Sequence, residues 1–524
     1  MNHRSLPNPS RLAPALLLLG AAFAGAATVT VDPGTTYQTI RGYGSSSAWN
    51  SGSFSGSKAS NATILWADDT IDGHAGLSML RTRIDPGGSF ASEADPMTAA
   101  KKTNPNILIW STEWTPPAKY KDNNNVNGKA DNNTFNNNAA NSQGYADYLV
   151  NYVKTIKTTY GVDLWAVSPQ NEPDWNTTYE SCIWTAAKFQ DFVKNYMGPS
   201  FQKAGLSTKI LIGESLNDNL SLVTPAMNDA ATRAFVSVIG GHLYGAGPNT
   251  LPSSFGTNVE HWETEYSWGS GTNPDNSMSA STGGLQMASL VHKCMVKANM
   301  TAYHHWWTVW TDNTGLINGT TPSKKLFVLG NYAKFVRPGF VRVSATESPT
   351  SGVSVSAYAS GKRVVLVVIN SGSSAVSQAF SIGSKFTATK VTPWVTDPSN
   401  NLVRQSAAVA LSGGAFTYSL SAQSVTSFVI DGSGGPAGVL ANAAPKAESM
   451  KVQFHDGANW VKTLSQEPGE LRVLDLKGRV EEVLAIPANS QEMRLGVHPL
   501  GSYVIEVKQG ARTGSITFAN TDVR

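Results

Sequence analysis

Cysteine is almost missing from this chain: two residues, Cys182 and Cys294, in 524. At most one disulfide can form, and the apolar helical stretch around Cys294 favours buried free thiols over a pair. Charge is sparse as well. Lys and Arg number 40 against 37 Asp and Glu, a net of +3, so no polyanionic partner such as nucleic acid is expected. Beyond the amino terminus no apolar run reaches the length of a bilayer span, so no membrane span is expected. No Gly-rich phosphate loop follows the first candidate strand, which weighs against an open doubly wound sheet.

What is plentiful is Gly, Ser, Thr and Asn, together with 14 Trp and 16 Tyr. Most of these rings belong in a core, but exposed ones can stack on the flat apolar faces of sugars. The length is a prior for two to four domains. Arg4 and Arg11 precede the apolar run Leu12 to Ala27, and Ala24-Gly25-Ala26 offers small residues for cleavage. Residues 1–26 therefore read as a signal peptide, and a secreted or cell-surface monomer is expected.

From Ile40 to Pro338 short apolar runs alternate with helical patterns. The candidate strands are Ile40 to Gly44, Leu77 to Ile84, Ile107 to Ser111, Leu164 to Ser168, Ile210 to Gly213, Val236 to Leu243, Val259 to Thr264 and Ala302 to Trp307, eight in all. Tyr145, Tyr148, Leu149, Tyr152, Val153 and Ile156 share one helical face. This rhythm predicts an α/β fold, a (β/α)8 TIM barrel, over 40–338. The Asn-rich segment Lys121 to Gly144 reads as a loop, without a ligand ladder for calcium.

After Pro338 strands come close together, which predicts a side β-sandwich over 339–431, joined by an N-terminal strand from 27–39. Residues 432–447, rich in Gly, Ala, Ser and Pro, read as a linker. A small β domain follows over 448–524, with a turn at Asp475-Leu476-Lys477-Gly478.

Two glutamates carry the chemistry. Glu172 lies just after the strand Leu164 to Ser168, and Glu265 ends another strand-like run 93 residues later. In a barrel both would converge on one mouth. Cleavage of a sugar acetal needs such a pair, one acid to protonate the leaving oxygen and one carboxylate to meet the anomeric carbon, and needs no metal or cofactor. Asn171, directly before Glu172, can bond a sugar 2-hydroxyl, so Glu172 reads as the acid. In Trp262-Glu263-Thr264-Glu265, strand alternation points both glutamates one way. Glu265, at the end, is the better nucleophile, with Glu263 deeper and paired to a base such as Arg81 or Arg83.

Seven ordered motifs then resemble glycoside hydrolase family 30, and within it the bacterial glucuronoxylanases. They are Gln38 to Gly44, Met79-Leu80-Arg81, Trp114-Thr115-Pro116-Pro117, Ser168 to Asp174, Gly241-His242-Leu243-Tyr244-Gly245, Trp262 to Glu265, and Ala333 to Gly339. The resemblance covers Thr28 to Ile430. It implies retention of configuration, with Glu172 as acid/base and Glu265 as nucleophile. It implies that Asn171 holds the 2-hydroxyl, that Tyr244 bonds the nucleophile and that Arg81 sits beside Glu265. Trp114, Trp306 and Trp307 would wall the subsite for the cleaved sugar, with Trp49 and Trp175 lesser members of the cleft. His242 would be structural, bonding near the sixth strand.

Three departures bear on substrate. The family's glucuronate-binding arginine follows the eighth strand, whereas Thr308-Val309-Trp310-Thr311-Asp312-Asn313 has none, and Asp312 would repel such a branch. Glu113 and Glu263 replace small or apolar residues, which would alter the subsites. β-1,4-Xylan, with little dependence on glucuronate, is the expected polysaccharide. A β-1,6-glucan or galactan, a glucosylceramidase-like β-glycoside, or a non-catalytic carbohydrate-binding role are the alternatives. The tail, with Leu471 to Arg479 and Gly501 to Val507, resembles the sorting modules of type IX secretion.

Overall fold

The computed structural model describes residues 26–129, 131–269 and 276–436, then 452–455, 458–462, 468–475, 479–487, 492–496, 501–509 and 512–520. The signal-peptide reading, most of the linker and the turn at Leu476 to Gly478 lie outside the described residues. The chain divides into two units at Gly438.

In the first unit a strand, β1 (Val29–Thr39), precedes eight parallel strands that close into a barrel. These are β2 (Gly42–Ser46), β3 (Met79–Ile84), β4 (Leu108–Glu113), β5 (Leu164–Ser168), β6 (Lys209–Ser215), β7 (Val236–His242), β8 (Glu260–Tyr266) and β9 (Ala302–Trp306). Each overlaps one of the eight expected from apolar spacing. Closure brings β2 against β9, and there Gly44 is required by closeness. A Cβ on it would lie 2.6 Å from the Met79 carbonyl oxygen and 2.8 Å from the His304 ring.

Side chains fill the barrel in layers. At the bottom Arg41 donates Nε to Glu260 Oε2 at 3.0 Å and lies over the Trp165 ring. Above it Met79, Trp110, Ala166, Leu211, Val238, Trp262 and Ala302 pack together, and Trp110 Nε1 donates to His304 Nε2 at 3.0 Å. Burial holds the His304 pKa down at about 3, so the ring is neutral and free to accept. Two residues on from Met79, along the same face of β3, comes Arg81.

After β9 lies a small sheet of β10 (Val309–Trp310), β11 (Ile317–Asn318) and β12 (Thr321–Pro322). The later strands are β13 (Val341–Ala345), β14 (Val353–Ser360), β15 (Arg363–Asn370), β16 (Val376–Ile382), β17 (Thr387–Thr396), β18 (Val403–Arg404), β19 (Ala415–Leu420) and β20 (Ser424–Ser433). With β1 they form one nine-stranded sheet in the order β18-β17-β20-β15-β14-β13-β1-β16-β19. β1 runs antiparallel to β13 and parallel to β16, so the segment before the barrel belongs to the sheet after it. The sheet closes over its own core, where Phe428 of β20 meets Phe380 of β16 at 5.0 Å and Phe416 of β19 at 5.3 Å between ring centres.

β15 is buried on both faces. Val364, Leu366 and Val368 enter the sandwich core, while Val365, Val367 and Ile369 join the core shared with the barrel. That double burial accounts for the unbroken apolar run Val364 to Ile369.

The Asn-rich segment is not a loop to its end. A helix, Ala139–Tyr160, starts inside it, and Asn138 caps it by accepting from the Asn141 N–H at 2.9 Å. Asn is favoured at that position because its side-chain oxygen satisfies a free helical donor. Cys182 and Cys294 are both buried free thiols.

The second unit has a three-stranded sheet, β21 (Val452–His455), β22 (Ala458–Lys462) and β25 (Glu492–Arg494). A four-stranded sheet holds β23 (Gly469–Asp475), β24 (Val480–Ile486), β26 (Gly501–Gln509) and β27 (Arg512–Asn520). Val461, Leu471, Val473, Ile486, Ile505 and Val507 are among its buried core.

Phe428→Ala, which empties the centre of the sandwich core, is expected to cost about 3–5 kcal/mol. Thermal or urea denaturation reads the loss directly, and hydrolytic turnover at low temperature should stay within about twofold of the parent chain.

Candidate active site

The mouth of the barrel is organised around Arg81, whose side chain is fully buried. Its Nη1 donates to Glu265 Oε2 at 2.5 Å, and its Nη2 donates to Asn171 Oδ1 at 2.6 Å and Glu214 Oε1 at 2.8 Å. The guanidinium carbon lies 4.6 Å from the Trp114 ring centre. Burial opposes the charge, but the two carboxylates outweigh it and raise the Arg81 pKa.

Backbone bonds to strand ends on either side hold the segment after β5. The Asn171 N–H donates to the Glu113 carbonyl at 2.7 Å and the Glu172 N–H to the Glu214 carbonyl at 3.0 Å. Gln170 Nε2 donates to the Trp114 carbonyl at 2.7 Å, while Trp184 Nε1 donates to Gln170 Oε1 at 3.0 Å. Glu172 takes a left-handed φ of 43°, a conformation a β-carbon disfavours and these bonds enforce.

The Glu172 side chain is buried, and His242 Nδ1 donates to its Oε1 at 3.0 Å. Burial raises the Glu172 pKa, the His242 bond opposes this, and the nearby Glu265 charge adds to it. On Glu265 itself, Tyr244 donates its hydroxyl to Oε1 at 2.8 Å. An oxygen of Glu172, an oxygen of Glu265 and a ring nitrogen of His242 all lie within 4.8 Å of one another. Such a trio could ligate a metal, but both Glu265 oxygens and the near Glu172 oxygen already accept hydrogen bonds from Arg81, Tyr244 and His242.

Trp49, Trp114 and Trp306 form one ring cluster, with centres 5.2 Å, 5.5 Å and 6.0 Å apart. Trp307 continues it from Trp306 and stacks on Trp310 at 3.6 Å, nearly parallel. Trp49 is exposed and also covers the Arg83 guanidinium. The structure therefore brings Arg81, Asn171, Glu172, Tyr244, Glu265, Trp49, Trp114, Trp306 and Trp307 to one place. Trp175 stands at the rim, exposed, its N–H bonded to the Glu172 carbonyl. It makes no ring contact with the cluster among the described residues.

Three expectations are corrected. Glu263 is not paired with Arg81 or Arg83. Its Oε2 accepts from the His304 backbone N–H at 2.8 Å, while Arg83 pairs with Glu180, Asp85 and Glu93. Strand alternation fails there because the register of β8 slips on both sides, against β7 between Gly241 and His242 and against β9 between Glu263 and Tyr266. A bulge of this kind re-aims the side chain beyond it. Glu113 does not line the cleft either. Thr112 points inward, donating to Glu214 Oε2 at 2.5 Å, so Glu113 faces the surrounding helices. Burial drives the pKa of Glu113 and of Glu263 well up, and both fill space as neutral acids. His242, finally, bonds a carboxyl of the mouth directly.

Glu214 was missed. It stands one residue before the end of β6 with a φ of 48°, after Gly213 at 103°, where a Cβ would lie 2.6 Å from the Gly240 carbonyl. Burial alone would raise its pKa, but Arg81 and His242 overcome this and hold it near 2. Its only signal in the sequence is a glutamate closing the run Ile210-Leu211-Ile212-Gly213, the position expected of a functional residue in a barrel. His242 in turn is lowered by burial but raised further by the surrounding carboxylates, to about 10.

Comparison with known proteins agrees with this geometry. Residues 90–323 match the Glycosyl hydrolase family 30 TIM-barrel domain. Glucuronoxylanase XynC of Bacillus subtilis (strain 168) is 30% identical over 419 residues, covering 78% of this chain and 92% of that one. The chain belongs to glycosyl hydrolase family 30. A solved family 30 subfamily 8 xylanase, Xyn30A from Clostridium acetobutylicum, superposes with a TM-score of 0.67 at 36% identity, covering 77% of this chain and 99% of its own. A further relative, endo-1,6-beta-D-glucanase BGN16.3 of Trichoderma harzianum, is 29% identical over 31% of this chain and 34% of its own. This family 30 chain is a glycoside hydrolase.

Glu214 and His242 give the site opposite pH limits. Glu214 has a depressed pKa, so its stabilisation is present above its unfolded value of 4.5 and fades as pH falls toward 2. His242 has a raised one, so its stabilisation is complete below 6.5 and is lost as pH climbs through about 10. Glu214→Gln is expected to cost about 3–5 kcal/mol at neutral pH by leaving Arg81 under-compensated. It should also flatten the acid limb of stability between pH 4.5 and 2, which a series of melting curves against pH would show.

Proposed function

We propose that this chain is a secreted, retaining endo-β-1,4-xylanase in which Glu265 is the nucleophile and Glu172 the acid/base. The observation that carries the reading is the approach of the two carboxyl groups, with oxygens inside 4.8 Å. Inverting pairs stand about 6.5–9.5 Å apart to admit a water, whereas retaining pairs stand about 5–5.5 Å apart.

Glu265 attacks the anomeric carbon as the bond to the leaving oxygen breaks, and Glu172 gives that oxygen its proton. The sugar is left as an ester on Glu265. Water then attacks the same carbon, Glu172 takes a proton from it, and Glu265 departs as a carboxylate. Asn171 accepts from Arg81 through its oxygen, which leaves its NH2 to donate to the 2-hydroxyl. The rings of Trp114 and Trp306 offer a flat apolar wall to the sugar face.

Xylan is supported by the two xylanase relatives. Little dependence on glucuronate is supported by the loop after β9. No arginine lies in it, Trp310 is stacked on Trp307, and Asp312 turns its Oδ1 to the N–H and hydroxyl of Thr314 at 2.8 Å and 2.5 Å. A β-1,6-glucan is the second reading, supported by the endo-1,6-glucanases among the relatives. Export rests on the amino-terminal leader pattern, and a sorting role for the second unit rests on the resemblance of its sequence to type IX modules.

Glu172→Ala should slow xylan hydrolysis about 100- to 10,000-fold while sparing glycosides with activated leaving groups, and Glu265→Ala should disable both. Equal losses on the two substrates in the Glu172 variant would reverse the assignment. Reducing-end assays on xylan, glucuronoxylan, arabinoxylan and β-1,6-glucan should give similar rates on the decorated and plain xylans and little on the glucan. Release from the glucan alone would replace the xylan reading.

A further inference from the structure

The rings of Trp49, Trp114 and Trp306 are each backed by a guanidinium. Arg81 lies 4.6 Å from the Trp114 ring centre and 6.0 Å from that of Trp306. Two residues further along β3, on the same face of the strand, Arg83 lies 5.1 Å from the ring centre of Trp49. The three rings differ in what they leave open. Trp114 and Trp306 are only 3% and 8% exposed, whereas Trp49 is 41% exposed, so among them Trp49 carries most of the surface that a sugar could reach.

An exposed ring binds well only if it is held ready, because ordering a loose side chain on association costs affinity. Trp49 is held from below. Its φ of 57° is left-handed, a conformation that a side chain disfavours and that its surroundings must enforce. The Trp49 N–H donates to Glu93 Oε1 at 3.1 Å, and the same oxygen lies 3.7 Å from Arg83 Nη1. Glu93 is buried in the first turn of the helix Ala91–Thr103. The residues after Trp49 are pinned as well. Asn50 brackets Val309, donating Nδ2 to its carbonyl at 2.8 Å and accepting its N–H at 3.0 Å, while the Gly52 N–H donates to Asp95 Oδ2 at 2.8 Å.

A second use for Arg83, as the partner of an acidic sugar branch, is excluded by its bonds. Its Nε donates to Glu180 Oε2 at 2.8 Å, and its Nη2 bonds Glu180 Oε1 and reaches Asp85 Oδ1 at 3.2 Å. With Glu93, three carboxyl groups surround one buried cation and leave it no charge to spare. Burial opposes the cation, but these acids outweigh it and raise the Arg83 pKa. We propose that Arg83 and Glu93 are positioning residues for substrate binding, which fix Trp49 as a rigid stacking platform for an uncharged sugar ring in the cleft. Glu180 is the counter-charge that makes the buried guanidinium tolerable. The inference rests on the reading of the cleft as one for a neutral polysaccharide. Stacking that is equal in the bound substrate and the transition state acts on KM and leaves kcat alone.

The test is a double-mutant cycle with Trp49→Ala, read as KM and kcat on xylohexaose. Arg83→Lys keeps the charge but loses the planar fork, and Glu93→Met removes the acceptor of the Trp49 N–H. Each should raise KM about fivefold, the scale of one lost hydrogen bond, with kcat within about twofold of the parent chain. In the Trp49→Ala background each should add less than about twofold. Glu93→Gln, whose amide oxygen still accepts, should bring KM back toward the parent value. A fivefold rise that persists without the Trp49 ring, a loss in kcat alone, or an unchanged KM in both variants overturns the inference. So does a loss confined to glucuronate-bearing xylan, which would make Arg83 the partner of the branch. Should Arg83→Lys fail to fold in a melting curve, the two Glu93 variants decide. Should the parent chain cleave β-1,6-glucan and not xylan, the cycle is run with an oligosaccharide of that glucan. The identity of the sugar then judges the xylanase reading, and the cycle judges the platform.

Discussion

One guanidinium holds the mouth of this barrel together. Arg81 is buried beneath Trp114 and has only two donor-bearing terminal nitrogens, yet it spans Glu265, Glu214 and Asn171. Those residues come from β8, the end of β6 and the segment after β5, so a single side chain ties three strand ends of the closed barrel. A lysine could not do this, because a compact ammonium lacks the planar fork that fixes separate directions. Burying the cation is tolerable only because Glu214 stays ionised, held near pKa 2 against the cost of its own burial. Glu214 is thus the counter-charge that leaves Arg81 free to orient Glu265.

The same low-dielectric interior sorts the remaining acids. Glu113 and Glu263 are as buried as Glu214 but have no guanidinium within bonding reach, so burial prevails and each is kept neutral. A neutral carboxylic acid resembles the small or apolar residue it replaces more than its formal charge suggests. Their presence therefore adds no charge to the cleft.

Much of the fold was legible because it rests on short-range periodicity. Most barrel strands announce themselves by apolar residues, such as Ile210-Leu211-Ile212 of β6, because strands of a parallel sheet are buried on both faces, whereas β2 and β8 carry few and are marked by Ile40 and Val259 just before them. The nine-stranded sheet was less legible: β13 (Val341–Ala345) is brief and lies between β14, its neighbour in sequence, and β1, more than three hundred residues earlier, a pairing that no short-range pattern carries. In the site, Asn171, Glu172 and Glu265 stand out because each sits near or just past a strand end beside distinctive neighbours, and Arg81 because it is a cation inside a strand. The orientation of Glu263 did not, because a bulge is a matter of register between strands and leaves no mark in the strand that carries it. Glu214 and His242 were underread for a related reason. Each looks like a single polar residue closing an apolar run, and its importance lies in the partner from another strand.

Counting charge around the mouth shows why the proposed acid can become a base. Arg81 and His242, raised to about 10, supply two positive charges. Glu214 and Glu265, as carboxylates, supply two negative ones. The four cancel, so an ionised Glu172 would be an uncompensated charge in a buried place, and a protonated Glu172 leaves the site neutral. In the proposed mechanism, esterification of Glu265 removes one negative charge and gives Glu172's proton to the departing chain. The Glu172 carboxylate now replaces the charge lost from Glu265, and His242, already bonded to its Oε1, stabilises it. Neutrality is kept at both stages, so the switch from acid to base needs no movement of the backbone. It follows from which of two neighbouring carboxyl groups carries the single remaining negative charge.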